Sequence, residues 1–154
     1  MIKKLCCLTA GLAILTLMPL AAQQPKPEEK APATRTLKIK LNYTGAGTVD
    51  AKHRIAVFLF DTPDFMAGNV MFIAKDTASA KDAVVTFSGL TASPIYAAAA
   101  FDPAGDYDGE SGPPPQGSSV GIYSKTPGTP APIEIEPGKT VQVELAFDDT
   151  IKMP

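Results

Sequence analysis

Apolar side chains recur at every second residue in this chain, not at every third or fourth. In Thr36-Leu-Lys-Ile-Lys-Leu-Asn-Tyr43, Leu37, Ile39, Leu41 and Tyr43 fall on one side and Lys38, Lys40 and Asn42 on the other. Val141, Val143, Leu145 and Phe147 alternate in the same way with Gln142, Glu144 and Ala146. That period belongs to a strand with one face buried and one wet. Arg54–Phe60 is apolar on both faces after the arginine, as a central strand covered on both sides would be, and its β-branched and aromatic content favours strand over helix. Val70–Ala74, Ala83–Phe87, Ser119–Tyr123 and Ile133–Glu136 read as further strands, with Gly89 interrupting after the second of these. Ile95-Tyr-Ala-Ala-Ala-Ala-Phe101 is ambiguous, because alanine favours helix. Pro94 and Pro103 bracket it, and seven residues make a normal strand but a marginal helix, so it too is predicted as a strand. Residues 64–69 or 75–82 have room for one helical turn. The pattern predicts an all-β fold, a single antiparallel β-sandwich (Ig-like or transthyretin-like) of about seven or eight strands over residues 36–154.

The N-terminus obeys different rules. Met1-Ile2-Lys3-Lys4 is a short basic start, Leu5–Leu20 is an apolar run, and Ala21-Ala22 supplies a small-residue exit. This order predicts a secretory signal peptide over residues 1–22. The run of about 16 residues falls short of the roughly 20 that span a bilayer, which disfavours an uncleaved anchor and leaves no transmembrane span after cleavage. A lipoprotein signal needs its cysteine after the apolar run, whereas Cys6 and Cys7 precede it. Export therefore removes both cysteines, and no disulfide staples the mature chain. Residues 23–35 carry prolines and charges but no large apolar side chain, and read as a flexible linker. The expected location is the periplasm or the cell exterior.

The stretch Val85-Thr-Phe87-Ser-Gly89-Leu90-Thr-Ala-Ser-Pro94-Ile-Tyr96-Ala-Ala-Ala-Ala-Phe101-Asp102 resembles the transthyretin-like and carboxypeptidase-regulatory-like β-sandwich domains of exported bacterial proteins. The shared pattern is a strand ending in an aromatic, a Leu-containing turn, and a strand opening with a small residue, any residue and tyrosine. Pro94 stands where those domains usually have glycine. The resemblance implies that Leu90 plugs one end of the core and that Tyr96 packs beneath the turn, its hydroxyl at a backbone group. From Asp102 onward the chain also resembles exported domains of unknown function with an Asp-x-Asn-x-Asn-Gly loop, departing from them at Ala104. Neither resemblance implies an activity.

Chemistry concentrates in one place. From Asp102 to Ser118 the chain carries Asp102, Asp106, Asp108 and Glu110, then Pro113-Pro114-Pro115, and no aliphatic side chain larger than proline. Loops this long inside compact domains are usually functional or disordered. Three readings stand: a solvated acidic turn, a Ca²⁺ site using those four carboxylates, or a partner-binding loop whose contacts are Tyr107, Pro113, Pro114 and Pro115. Alternate carboxylates can converge on a hard cation. EF-hand spacing fails, because positions three, six and twelve from Asp102 are Ala104, Tyr107 and Pro113.

His53 is the sole histidine, so neither a zinc set nor a nucleophilic triad is complete, and it reads as exposed and inert. Asp148-Asp149 reads as a solvated strand end. Losing Lys3 and Lys4 takes fourteen basic residues to twelve, against sixteen acidic ones, which excludes a phosphate-binding nucleic-acid surface. Strand addition along Leu37–Tyr43 is discouraged by Lys38 and Lys40, as on natural sheet edges. The expectation is an exported, non-enzymatic β-sandwich that binds or scaffolds a protein or another envelope component and needs no cofactor. A calcium-stabilised sandwich is the alternative, and a small carboxylate-based hydrolase the third reading.

Overall fold

A computed structural model describes residues 33–67, 70–110 and 112–154. The predicted signal peptide and all but the last residues of the predicted linker lie outside them. The described chain is all-β. Its strands are β1 (Arg35–Tyr43), β2 (Ile55–Phe60), β3 (Ala74–Ala78), β4 (Val84–Leu90), β5 (Tyr96–Phe101), β6 (Ser119–Ile122), β7 (Ser124–Thr126), β8 (Thr129–Pro130) and β9 (Thr140–Phe147). They form a three-stranded sheet ordered β4-β1-β9, a four-stranded sheet ordered β3-β2-β5-β6, and the small pair β7-β8. Among the described residues no helix is long and apolar enough to cross a membrane.

The two larger sheets share one core. Leu37, Ile39 and Leu41 of β1, Val85 and Phe87 of β4, and Leu145 and Phe147 of β9 join Ile55, Val57, Leu59, Ala97, Ala99 and Phe101 of the other sheet. Every residue of β2 is buried, because its odd and even positions face different apolar clusters. Ile55, Val57 and Leu59 point into the shared core, whereas Ala56, Phe58 and Phe60 point to the opposite face of their sheet. The alanine-rich run is a strand, as expected, paired with β2 from Phe101 to Tyr96. The short helical turn falls within 64–69, as a 3-10 turn over Phe65–Ala67.

Several expectations need correction. Sheet pairing is not wholly antiparallel: β1 and β9 run parallel, in register from Thr36–Thr140 to Tyr43–Phe147. Alternation fixes which face a strand buries and is blind to the direction of its neighbour. For the same reason β1 is a central strand and not an edge; Lys38 and Lys40 lie on the solvent face of the sheet, flanked by β4 and β9. The strand expected at Val70–Ala74 lies at Ala74–Ala78, where a helical turn was the other option. Val70 and Phe72 instead pack on the outer cluster of the four-stranded sheet. Gly89 does not end β4. Arg35 pairs with Leu90 and Leu37 with Phe87, so β4 carries an extra residue, and Gly89 supplies the positive φ of 76° that such a bulge uses. Ile133–Glu136 contributes one bridge, Ile133 to Ile95, and not a strand. Leu90 is buried in the core, as the resemblance implies, but Tyr96 turns to the outer cluster.

Candidate functional site

The acidic loop is folded around its first carboxylate. Asp102 follows directly after β5 and is buried. Its Oδ1 accepts the Ala104 amide at 3.0 Å, and its Oδ2 accepts those of Asp106 at 3.0 Å and Tyr107 at 3.2 Å. An aspartate followed by residues that leave their amides unpaired favours this wrap, and Gly105 supplies a positive φ within it. Further on, Asp108 Oδ1 accepts the Glu110 amide at 2.7 Å. The cation in this loop is an ammonium from β3. Lys75 Nζ donates to Glu110 Oε1 at 2.6 Å and to the Asp108 carbonyl at 3.0 Å. Lys75 is largely buried, while the Glu110 side chain is exposed. The four expected carboxylates thus divide: that of Asp102 is wrapped in backbone amides, that of Asp108 takes the Glu110 amide, that of Glu110 takes Lys75, and Asp106 is exposed. Among the described residues no three His, Cys, Asp or Glu side chains lie where they could hold one metal ion.

The expected partner contacts also separate. Tyr107 turns its ring toward Phe58, with centroids 6.3 Å apart, and donates its hydroxyl to the Gly112 carbonyl at 2.8 Å. Burial, reinforced by the Asp108 charge, pushes its phenol up to about 12. Pro113 and Pro115 are exposed and Pro114 is half-buried. His53 Nδ1 sits 3.0 Å from Asp50 Oδ1, which also accepts the Lys52 and His53 amides at 2.8 Å. Those amides hold the Asp50 carboxyl below its usual range. His53 also lines a hollow of about 130 Å³ with Gly47, Thr48, Phe101 and Pro103.

Asp149 is not a plain solvated strand end. Its Oδ1 accepts the Tyr43 and Ser119 hydroxyls, each at 2.6 Å, and its Oδ2 accepts the Ala46 amide at 2.8 Å. Lys152 Nζ lies 3.8 Å from Oδ1 and donates to Ser119 Oγ at 3.2 Å. The Ser119 hydroxyl, then that of Tyr43, then the Ala46 amide hold the Asp149 carboxyl far below the ordinary carboxylate range. Burial first, then the bond to Asp149, raises the Tyr43 phenol. The Tyr43 ring is also wedged between Phe101 and Phe147, at centroid distances of 4.9 and 4.8 Å. This cluster ties the segment after β9 to β1, the following loop and β6. The sequence signal was faint: an aspartate just after the last strand, with a tyrosine ending the first.

The least expected feature is the outer face of the four-stranded sheet. Phe58, Phe60, Ala56 and Ala100 form its floor, and Phe65, Val70, Phe72, Tyr96 and Tyr107 pack against them. Phe65 stacks on Phe60 at 4.4 Å and 9°, and Phe72 tilts on Phe58 at 5.6 Å. Phe65, Val70 and Phe72 come from the β2–β3 connection, whose intervening Met66 and Met71 are 66% and 79% exposed. Ile73 is exposed beside them. The doubly apolar pattern of β2 was the signal for this second cluster.

The described residues define an all-β protein with an apolar outer face on its four-stranded sheet. No protein-family model, curated protein or solved structure matches the chain significantly.

Proposed function

We propose that this protein is an exported, non-catalytic binding module, built as a β-sandwich of the transthyretin-like kind, which holds an envelope partner on the outer face of its four-stranded sheet. One observation carries the reading: Met66, Met71 and Ile73 stand exposed at the rim of an aromatic cluster that already occupies that face. Unbranched methionines adapt to varied apolar shapes, and exposed apolar side chains that flank an aromatic cluster suit an interaction surface. The chain's polar clusters support a non-catalytic reading, because Asp102 and Asp149 spend their oxygens on amides and hydroxyls of their own fold. The basic start, apolar run and small-residue exit of residues 1–22 support export.

A photo-crosslinking amino acid placed at Met71 in the native cell tests the surface, with Lys40 on the far sheet as control. The expected result is a discrete adduct at position 71 and none at position 40. Absence of an adduct at 71, or an equal one at 40, refutes the surface. N-terminal sequencing of the native protein tests export; a mature start near Gln23 is expected, and an intact Met1 refutes it.

A further inference from the structure

Strand β9 has a paired edge and an open one, and two hydrogen bonds show which residues face which. The Thr36 amide donates to the Lys139 carbonyl and the Thr44 amide to the Phe147 carbonyl, both at 3.0 Å. In a parallel ladder, alternate residues turn both backbone groups to the same neighbour. Lys139, Val141, Val143, Leu145 and Phe147 therefore bond to β1. Thr140, Gln142, Glu144 and Ala146 aim their N–H and C=O groups the other way, where no strand of the described residues pairs with them.

The other edges of the two larger sheets are guarded. β3 has five residues, including Lys75 and Asp76. β6 has four, and the C-terminal segment covers it through Val120 N–H to Ile151 O at 3.0 Å and Met153 N–H to Ser118 O at 2.9 Å. β4 is bent by its bulge. β9 runs eight residues in unbroken register, with Glu144 as its one charge and without proline, glycine or lysine. Natural edges carry such guards to prevent pairing, so a long edge with a single charge is the one of these four best suited to pair.

The side chains agree. Leu145 and Phe147 are buried, but Val141 and Val143 of the same inward row are only half-covered. Beside the C-terminal half of β9 lies a groove of about 360 Å³, lined by Ile122, Ser124, Lys125, Pro127, Glu144 and Ala146. Its two charges are of opposite sign, so it does not select strongly for a charged ligand.

We infer that the open edge of β9 accepts an extended segment of another polypeptide as an additional strand, with apolar residues at alternate positions to cover Val141 and Val143. Backbone hydrogen bonds supply the attachment and the alternating side chains the choice of sequence. About six to eight residues at roughly 3.3 Å each span the edge. This surface is separate from the Met66–Met71 face and does not depend on it.

The test uses amide hydrogen exchange by NMR and a capped eight-residue peptide of alternating threonine and valine with a terminal lysine for solubility. In the protein alone, Gln142 and Glu144 amides are expected to exchange at least about tenfold faster than those of Val143 and Leu145. Millimolar peptide is expected to bind saturably and to slow Gln142 and Glu144. Gln142→Pro removes an outward N–H and leaves the β1 ladder its donors; it should weaken binding at least tenfold. Thr140→Lys with Gln142→Lys, which adds no ring, should weaken it several-fold. Protection of Gln142 and Glu144 in the monomer before peptide is added overturns the inference. So does absence of saturable binding, or binding unchanged in both variants. Sedimentation as a dimer with these amides protected also overturns it, by making a second copy the occupant.

Discussion

Replacing Asp149 should cost more than any other single change at an acidic residue of this chain. Three donors converge on its carboxylate: the Tyr43 and Ser119 hydroxyls and the Ala46 amide. Tyr43 and Ser119 are almost fully buried, so Asp149→Ala strands two hydroxyls with little access to water. Each buried donor left unpaired costs about 1–3 kcal/mol. The Asp149 side chain itself is 34% exposed, so water entering the gap offsets part of the loss. The expected cost is about 2–4 kcal/mol, a large part of the roughly 5–15 kcal/mol that holds a domain together. For a domain of this size, that lowers Tm by about 10 °C. Asp149→Asn keeps the shape but sets an amide group against the Ala46 N–H, and should cost about half as much.

The pH dependence is the sharper test. The folded carboxyl titrates below its unfolded value of about 3.9. Its contribution is therefore fully present above about pH 5 and is lost as pH falls through and below 4. The stability gap between wild type and Asp149→Asn should narrow steadily from pH 5 to pH 2 in urea denaturation followed by circular dichroism. A gap that stays constant over that range, or an Asp149→Ala variant whose Tm moves by less than about 2 °C, refutes the clasp.

Other outcomes follow from the same contacts. Lys75→Met should raise amide exchange across residues 103–110 and cost about 0.5–1.5 kcal/mol, because its ammonium bonds both Glu110 and the Asp108 carbonyl; unchanged exchange there contradicts the role given to Lys75. Millimolar Ca²⁺ should shift the wild-type Tm by less than about 1 °C, since an ammonium already faces Glu110 and Asp102 is wrapped in amides; a rise of several degrees would restore calcium to Asp102, Asp106, Asp108 and Glu110. Asp102→Ala should cost about 2–3 kcal/mol by releasing three amides beside a buried site, measured by thermal melting against an Asp106→Ala control expected within about 0.5 kcal/mol. Gly121→Ala would place its Cβ 2.4 Å from that of Phe147, so it should cost about 1–3 kcal/mol although alanine is the better strand residue.

Much of the fold was legible because burial leaves a period in the sequence. Leu37 to Tyr43 and Val141 to Phe147 announced their inward rows, and the doubly apolar run before Phe60 announced a strand covered on both faces. Partners and directions were not legible. The lysines of β1 look the same on an edge strand as on the wet face of a central one, and only the pairing with β4 and β9 distinguishes them. At the acidic loop the unusual composition located an ordered feature but not its logic. Lys75 arrives from a strand 35 residues before Glu110, and no local spacing joins the two. Asp149 was hidden for the same reason, since its donors come from Tyr43, Ala46 and Ser119. The apolar outer face was written in Phe58 and Phe60, but its rim of Met66 and Met71 lies in a connection without periodicity.

The side-by-side alignment of β1 with β9 has a consequence for biosynthesis. About a hundred residues separate each residue of β1 from its counterpart on β9, so the three-stranded sheet cannot be completed until the last strand has been made. Until the last strand emerges, Leu37, Ile39 and Leu41 lack one flank of their cover, and a chain cut before Thr140 leaves them so for good. Such a fold reports its own truncation: products lacking the final strand should be sticky and quickly degraded, while intact chains reach the folded state in one late, cooperative step.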